Sequence, residues 1–140
     1  MGRLTRENSS IDWRPNVNDK MYYAALHEAG HAVMARKVCG YEGPIEVSLS
    51  RCRFPDGFAR WEDFLLVKLA GFAAWAVHEE AKVNALPGYV RLGALFTDVA
   101  DLLDFGVAME DLFIPFDVAV ANLELHWGEV QKLAARLLDD

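Results

Sequence analysis

Apolar side chains fall on almost every face of the segment from Asp19 to Val38, Leu26, Ala29, Ala32, Val33 and Met34 among them. A helix that is apolar all round belongs in the interior of a domain. Asn16 or Asn18 can cap its start, and Gly40 stands just past its end. Its main polar interruptions before Arg36 are His27, Glu28 and His31. Gly30 costs about 1 kcal/mol relative to alanine in a helix interior. Its presence therefore predicts close approach of another backbone.

Downstream the pattern changes period. Pro44 opens Ile45–Ser50, where apolar and polar residues alternate strictly, the mark of a half-buried strand. Arg51–Phe54 can continue it and Pro55-Asp56-Gly57 is a turn, so a single short hairpin or small sheet fits. Trp61 to about Lys82 reads as a second long helix, broken by Leu86-Pro87-Gly88. Thr97 is placed to cap a third helix, Asp98–Phe105, ended by Gly106. Pro115 is expected to stop whatever Ala108–Phe113 forms. A last helix is predicted from Asp117 to about Leu138, with apolar residues every three or four positions on the face that docks on the core. No internal repeat, low-complexity tract or linker divides the chain. The expected organisation is a polar arm over residues 1–17 and one mainly α domain over residues 18–140.

Composition narrows the functional classes. The 140 residues are 53% hydrophobic and 25% charged, ordinary for a globular domain. The net charge of −7 comes with no basic cluster larger than doublets such as Arg36-Lys37, which argues against nucleic acid as a partner. The longest mostly apolar run, Phe64–Val77, is about 14 residues and contains Lys68, short of the ~20 a membrane span needs. The N-terminal residues carry no apolar signal core. With only Cys39 and Cys52, two free thiols in a reducing compartment are expected, and the localisation expected is cytoplasmic.

The chemistry is concentrated in His27-Glu28-Ala29-Gly30-His31, an H-E-x-x-H motif. At a rise of ~1.5 Å per residue, positions i and i+4 share one helix face. Both imidazoles can then turn a nitrogen toward one metal ion. Glu28, rotated by roughly 100° from His27, can reach a water held there. A catalytic zinc takes three protein ligands and keeps one position open. The candidates for the third are His78, Glu79, Glu80, Asp98, Asp101, Asp104 and His126. A carboxylate opening a short helix beside the first favours Asp98 or Asp101, which are three apart and can share a face. His78, Glu79 and Glu80 end an amphipathic helix and are expected to be solvated. His126, beside Trp127, is expected to be structural.

Ala25–Val33 closely resembles the HEAGHA segment of the FtsH-family peptidase domain. Leu69-Ala70-Gly71-Phe72-Ala73-Ala74 resembles that family's L-x-G-R-A-A. Thr97-Asp98-Val99 falls where the family has Asn-Asp-[Leu/Ile], and Leu133–Leu138 is similar to its C-terminal L-A-x-x-L-L. The four segments occur in family order over about Asn18 to Leu138. The resemblance implies a compact, mainly α, FtsH-peptidase-like domain with a small β-hairpin after the HExxH helix. It also implies Zn²⁺ as cofactor, with His27, His31 and Asp98 as ligands and Glu28 as general base.

The departures are equally specific. The chain carries Trp75 and Ala76 where the family has acidic residues, and Phe72 where it has arginine. The 140 residues hold no nucleotide-binding loop and no membrane anchor, so a stand-alone relative is expected. The expected activity is hydrolysis of peptide bonds by a zinc metalloendopeptidase, acting on a peptide or unfolded protein. An extended substrate could add along Ile45–Ser50. A separate unfoldase partner and the oligomeric state are left open. The alternatives are a catalytically silent metal-binding or protein-interaction module that keeps the peptidase fold, and a helical domain whose motif is coincidental.

Overall fold

The first helix sets the frame because, beyond its polar first turn, the motif is the main polar interruption of an apolar run. In the computed structural model, which describes residues 17–83, 102 and 104–139, α1 spans Val17–Val33. Asn18 therefore lies inside the helix rather than capping it, and Asn16 falls outside the described residues. The coil does not stop at Val33. It widens into a π-helical segment, Met34–Val38, where the amide of Cys39 donates to the carbonyl of Met34. Gly40, at φ +69°, ends it in a conformation that suits a residue without a Cβ.

The hairpin follows. β1 (Glu46–Val47) pairs antiparallel with β2 (Cys52–Arg53), with Glu46 opposite Arg53 and Val47 opposite Cys52. The alternation predicted over Ile45–Ser50 is realised as burial: Ile45, Val47 and Leu49 are half-buried and their neighbours exposed. The ladder itself is shorter than that alternation. The amide of Ser48 donates to the carbonyl of Arg51, closing the turn and taking Leu49 and Ser50 out of the strand. Phe54–Gly57 is a β-turn, with the Gly57 amide 2.8 Å from the Phe54 carbonyl.

α2 (Trp61–Val83) agrees with its predicted span and opens on Glu62 and Asp63, which suit the positive end of the helix dipole. It runs antiparallel to α1: His31 meets Val67, Gly30 faces Ala70, and Tyr23 reaches Glu79. Gly30 explains how closely they pack. A Cβ there would lie 2.7 Å from the Ala70 carbonyl oxygen and 2.8 Å from the Ala74 Cβ. Opposite it α2 carries the fully buried Ala70, Ala73, Ala74 and Ala76.

Two further helices close the core. A 3-10 turn, Met109–Leu112, leads into α3 (Phe113–Leu125), and α4 is Trp127–Asp139. The single helix predicted from Asp117 to Leu138 is thus two. His126 leaves helical geometry at φ −113°, ψ 21°, and its amide still donates to carbonyls of α3. The apolar spacing survives the break: Phe116, Ala119 and Leu123 are buried on α3, and Val130, Ala134 and Leu137 on α4. Pro115 does not act as a stop. It sits in the first turn of α3, where a missing amide hydrogen breaks no intrahelical bond. α3 packs on α2, where Phe72 and Phe116 meet at 5.0 Å between centroids, and α4 packs on α1. The mainly α fold with a small two-stranded sheet is the one the pattern predicts. Leu102 is buried, and the Val107 amide donates to its carbonyl past Gly106 at φ +91°, a left-handed stop at the predicted position. Most of Asp98–Phe105 lies outside the described residues.

Candidate metal centre

The buried pairing of α1 and α2 puts the motif at their interface. His31 is 6% exposed, while His27 and Glu28 are half-buried. A buried imidazole needs a partner for each nitrogen that carries a proton. For His31 the Val67 carbonyl oxygen supplies it, 2.6 Å from Nδ1. A carbonyl can only accept, so Nδ1 bears the proton, and in the neutral ring Nε2 is left with its lone pair.

That lone pair faces His27. The two Nε2 atoms are 3.2 Å apart, and the rings meet edge to face at 86°. Without a cation, the contact is favourable when His27 Nε2 carries the proton and donates it to His31. A cation can replace that proton. Two nitrogens each at ~2.0–2.1 Å from a tetrahedral ion are about 3.3 Å apart, close to the separation found. One ligand atom from each of His27, Glu28 and His31 lies within 4.8 Å of the others, so the group could hold a metal ion.

Gly71 makes room for this arrangement. A Cβ at that position would overlap the imidazole of His27. The L-A-G segment of α2 therefore serves the site through an absent side chain. Its neighbour Val67, one turn earlier, orients His31 through the backbone. Fixing a ligand through its second nitrogen in this way sets the tautomer and the ring plane.

Beside His31 is a cavity of about 260 Å³ whose walls include Phe54, Phe58 and Phe64, with Lys68 and Cys52. Phe54, Phe58 and Tyr41 pack on one another, edge-on or tilted, at 5.0–5.4 Å between centroids, which stiffens this wall. The strand nearest His31 is therefore β2. Ile45 and Val47, part of the edge along which a substrate is expected to add, line a different groove.

Among the described residues, no other candidate ligand joins this group. Asp98 and Asp101 lie outside the described residues, as does the side chain of Glu80. Asp104 is exposed and takes no part in the cluster. His126 stands at the α3–α4 junction, 3.8 Å from Glu129. His78 and Glu79 are not a solvated helix end. Tyr23 donates to Glu79 Oε2 at 2.7 Å, and both Tyr22 and Tyr23 pack edge-on against His78. The signal was available in the sequence: Tyr23 and His27 are four apart on α1, so a polar tyrosine continues the face of the motif. Cys39 and Cys52 are both free thiols. No known protein family, curated protein or solved structure matches the chain.

Proposed function

We propose that the protein is a zinc-dependent metallopeptidase that hydrolyses peptide bonds of an unfolded or flexible protein substrate. The observation that carries this reading is the His31 tautomer. Its Nδ1 proton is committed to Val67, and its Nε2 is aimed at the Nε2 of His27, 3.2 Å away. A purely structural pair would need no Glu28 beside it, yet that carboxylate lies within the same 4.8 Å cluster. His27 and His31 would hold the ion, with Asp98 as the third ligand that the sequence resemblance implies. When bound, zinc supplies Lewis acidity toward water and toward the peptide carbonyl.

The side chains do the rest. Glu28 takes a proton from the attacking water and passes it to the leaving amine. The Val67 carbonyl keeps His31 in one tautomer throughout. The half-buried faces of His27 and Glu28 leave the reacting groups open to an incoming chain. The cavity between Phe54, Phe58 and Phe64 accepts an apolar side chain next to the bond being cut.

The test is zinc content by elemental analysis together with casein cleavage by the wild type and by Glu28→Gln. About one zinc per chain, with cleavage lost in a variant that still holds its metal, is the expected result. Cleavage retained in Glu28→Gln would remove Glu28 from the base role. Zinc bound by a wild type that cleaves nothing would favour a catalytically silent module.

A further inference from the structure

A second concave surface shares none of its lining with the cavity beside His31. It is an open groove of about 740 Å³ between the end of α1, β1 and α4. Its floor is apolar, with Val33, Val47 and Leu133 in its lining. Four cationic side chains also line it: Arg36, Lys37, Lys132 and Arg136, all on exposed residues. The one acid of the lining, Glu129, sits 3.7 Å from Lys37. Four cations against one acid leave a local excess of three positive charges in a chain whose net charge is −7.

This concentration is spatial rather than sequential. Arg36-Lys37 and Lys132…Arg136 are nearly a hundred positions apart and meet because α4 packs on α1. Lys132 and Arg136 are four apart and share a helix face, where like charges repel. A pair held in that arrangement is favoured by an anionic partner. Arg36 is oriented as well: its Nη1 donates to the carbonyls of Tyr41 at 2.8 Å and Gly43 at 2.9 Å.

One wall of the groove is a strand. β1 pairs with β2 along one edge, and among the described residues no other strand pairs with it. An extended segment can add to such an edge through its backbone, with alternate side chains facing the floor. We infer that this groove docks an extended, acidic protein segment whose apolar side chains lie on Val33, Val47 and Leu133 and whose carboxylates meet Arg36, Lys37, Lys132 and Arg136. Nucleic acid fits less well, because the floor offers no exposed aromatic ring on which bases could stack. The inference does not depend on hydrolysis or on bound metal.

Binding of three fluorescein-labelled peptides to the full chain tests it by anisotropy. One alternates glutamate with valine; the others replace glutamate by glutamine or by lysine. The acidic peptide should bind most tightly and lose affinity as salt is raised. The double variant Lys132→Glu/Arg136→Glu, checked for fold by circular dichroism, should weaken it by about tenfold or more. Glu28→Gln should leave it unchanged, which separates this groove from the metal centre. Equal binding of the acidic and basic peptides, no binding at about 1 mM, indifference to the double variant, or tighter binding of a single-stranded oligonucleotide would each overturn the inference.

Discussion

The Val67 carbonyl oxygen stands 2.6 Å from Nδ1 of His31 and so decides which nitrogen of that ring is available. This contact makes His27 and His31 unequal, although the motif writes them alike. Replacing His31 by alanine removes a ligand, deletes a buried hydrogen bond and empties space in the α1–α2 interface. Metal-free His31→Ala should therefore be about 1–3 kcal/mol less stable than metal-free His27→Ala. Urea denaturation with a chelator present measures the difference. Zinc should raise the melting temperature of the wild type by mass action and leave both variants unmoved. The ¹⁵N shifts of metal-free protein should report His31 as the Nδ1–H tautomer.

The Tyr23–Glu79 hydrogen bond ties α1 to α2 one helical turn before His27. It is part-buried and spans 56 positions of chain at 2.7 Å. Tyr23→Phe keeps the ring against His78 and deletes only the hydroxyl. The expected cost is about 1–2 kcal/mol, read as a lower denaturation midpoint at unchanged slope. Zinc stoichiometry should not change, because Tyr23 is not one of the residues of the His27–Glu28–His31 group.

Cys39 follows the π-helical segment at the end of α1. Burial, and then the Asp63 carboxylate beside it, push its thiol up to about 11. Both effects disfavour the thiolate, which is the form that reacts. At pH 9 only about one molecule in a hundred would carry Cys39 as thiolate. In a Cys52→Ser background, iodoacetamide should modify folded protein at pH 9 many times more slowly than the urea-unfolded chain. Asp63→Asn removes the carboxylate's share and should speed the reaction. Equal rates for folded and unfolded chains would contradict the assignment.

What could be read from the sequence followed from periodicity and from side chains with fixed conformational demands. The all-round apolar helix carrying the motif, the second long helix, the Pro55-Asp56-Gly57 turn and the stop at Gly106 are local. Each is written in adjacent residues. Gly30 was also legible, because a glycine inside a helix needs a packing reason, and Ala70 and Ala74 supply it. The break at His126 was not legible. Apolar spacing runs through it unchanged, and a helix kinked at one residue keeps nearly the same buried face. Pro115 was misread because proline marks both the end of one element and the first turn of the next.

The candidate site divides along the same line. His27, Glu28 and His31 share one helix, so their convergence follows from helical geometry alone. The contacts that tune them come from α2: the Val67 carbonyl is a backbone atom with no residue signature, and Gly71 acts by lacking a side chain. Which strand of the hairpin lines the cavity beside His31 is illegible for a related reason. Alternation predicts which face of the hairpin is buried, but not which strand lies nearer His31.

Gly71 offers the sharpest test of that division. Alanine is favoured over glycine inside a helix by about 1 kcal/mol, so on local grounds Gly71→Ala should stabilise α2. The tertiary contact opposes this, because the added Cβ would overlap the His27 imidazole. That ring is half-buried and can swing outward, so the helix gain and the clash roughly offset each other in metal-free protein. The displaced ring no longer meets His31 at 3.2 Å. Gly71→Ala should therefore unfold within about 1 kcal/mol of the wild type and yet bind zinc at least about tenfold more weakly. Gly30→Ala provides the contrast. The atoms it meets are the Ala70 carbonyl and the Ala74 Cβ, which cannot rotate away. It should cost about 1–3 kcal/mol of stability by forcing α1 and α2 apart. Denaturation midpoints and competitive zinc titration on the two variants separate the effects; unchanged zinc affinity in a folded Gly71→Ala would show that His27 does not need the space this glycine leaves.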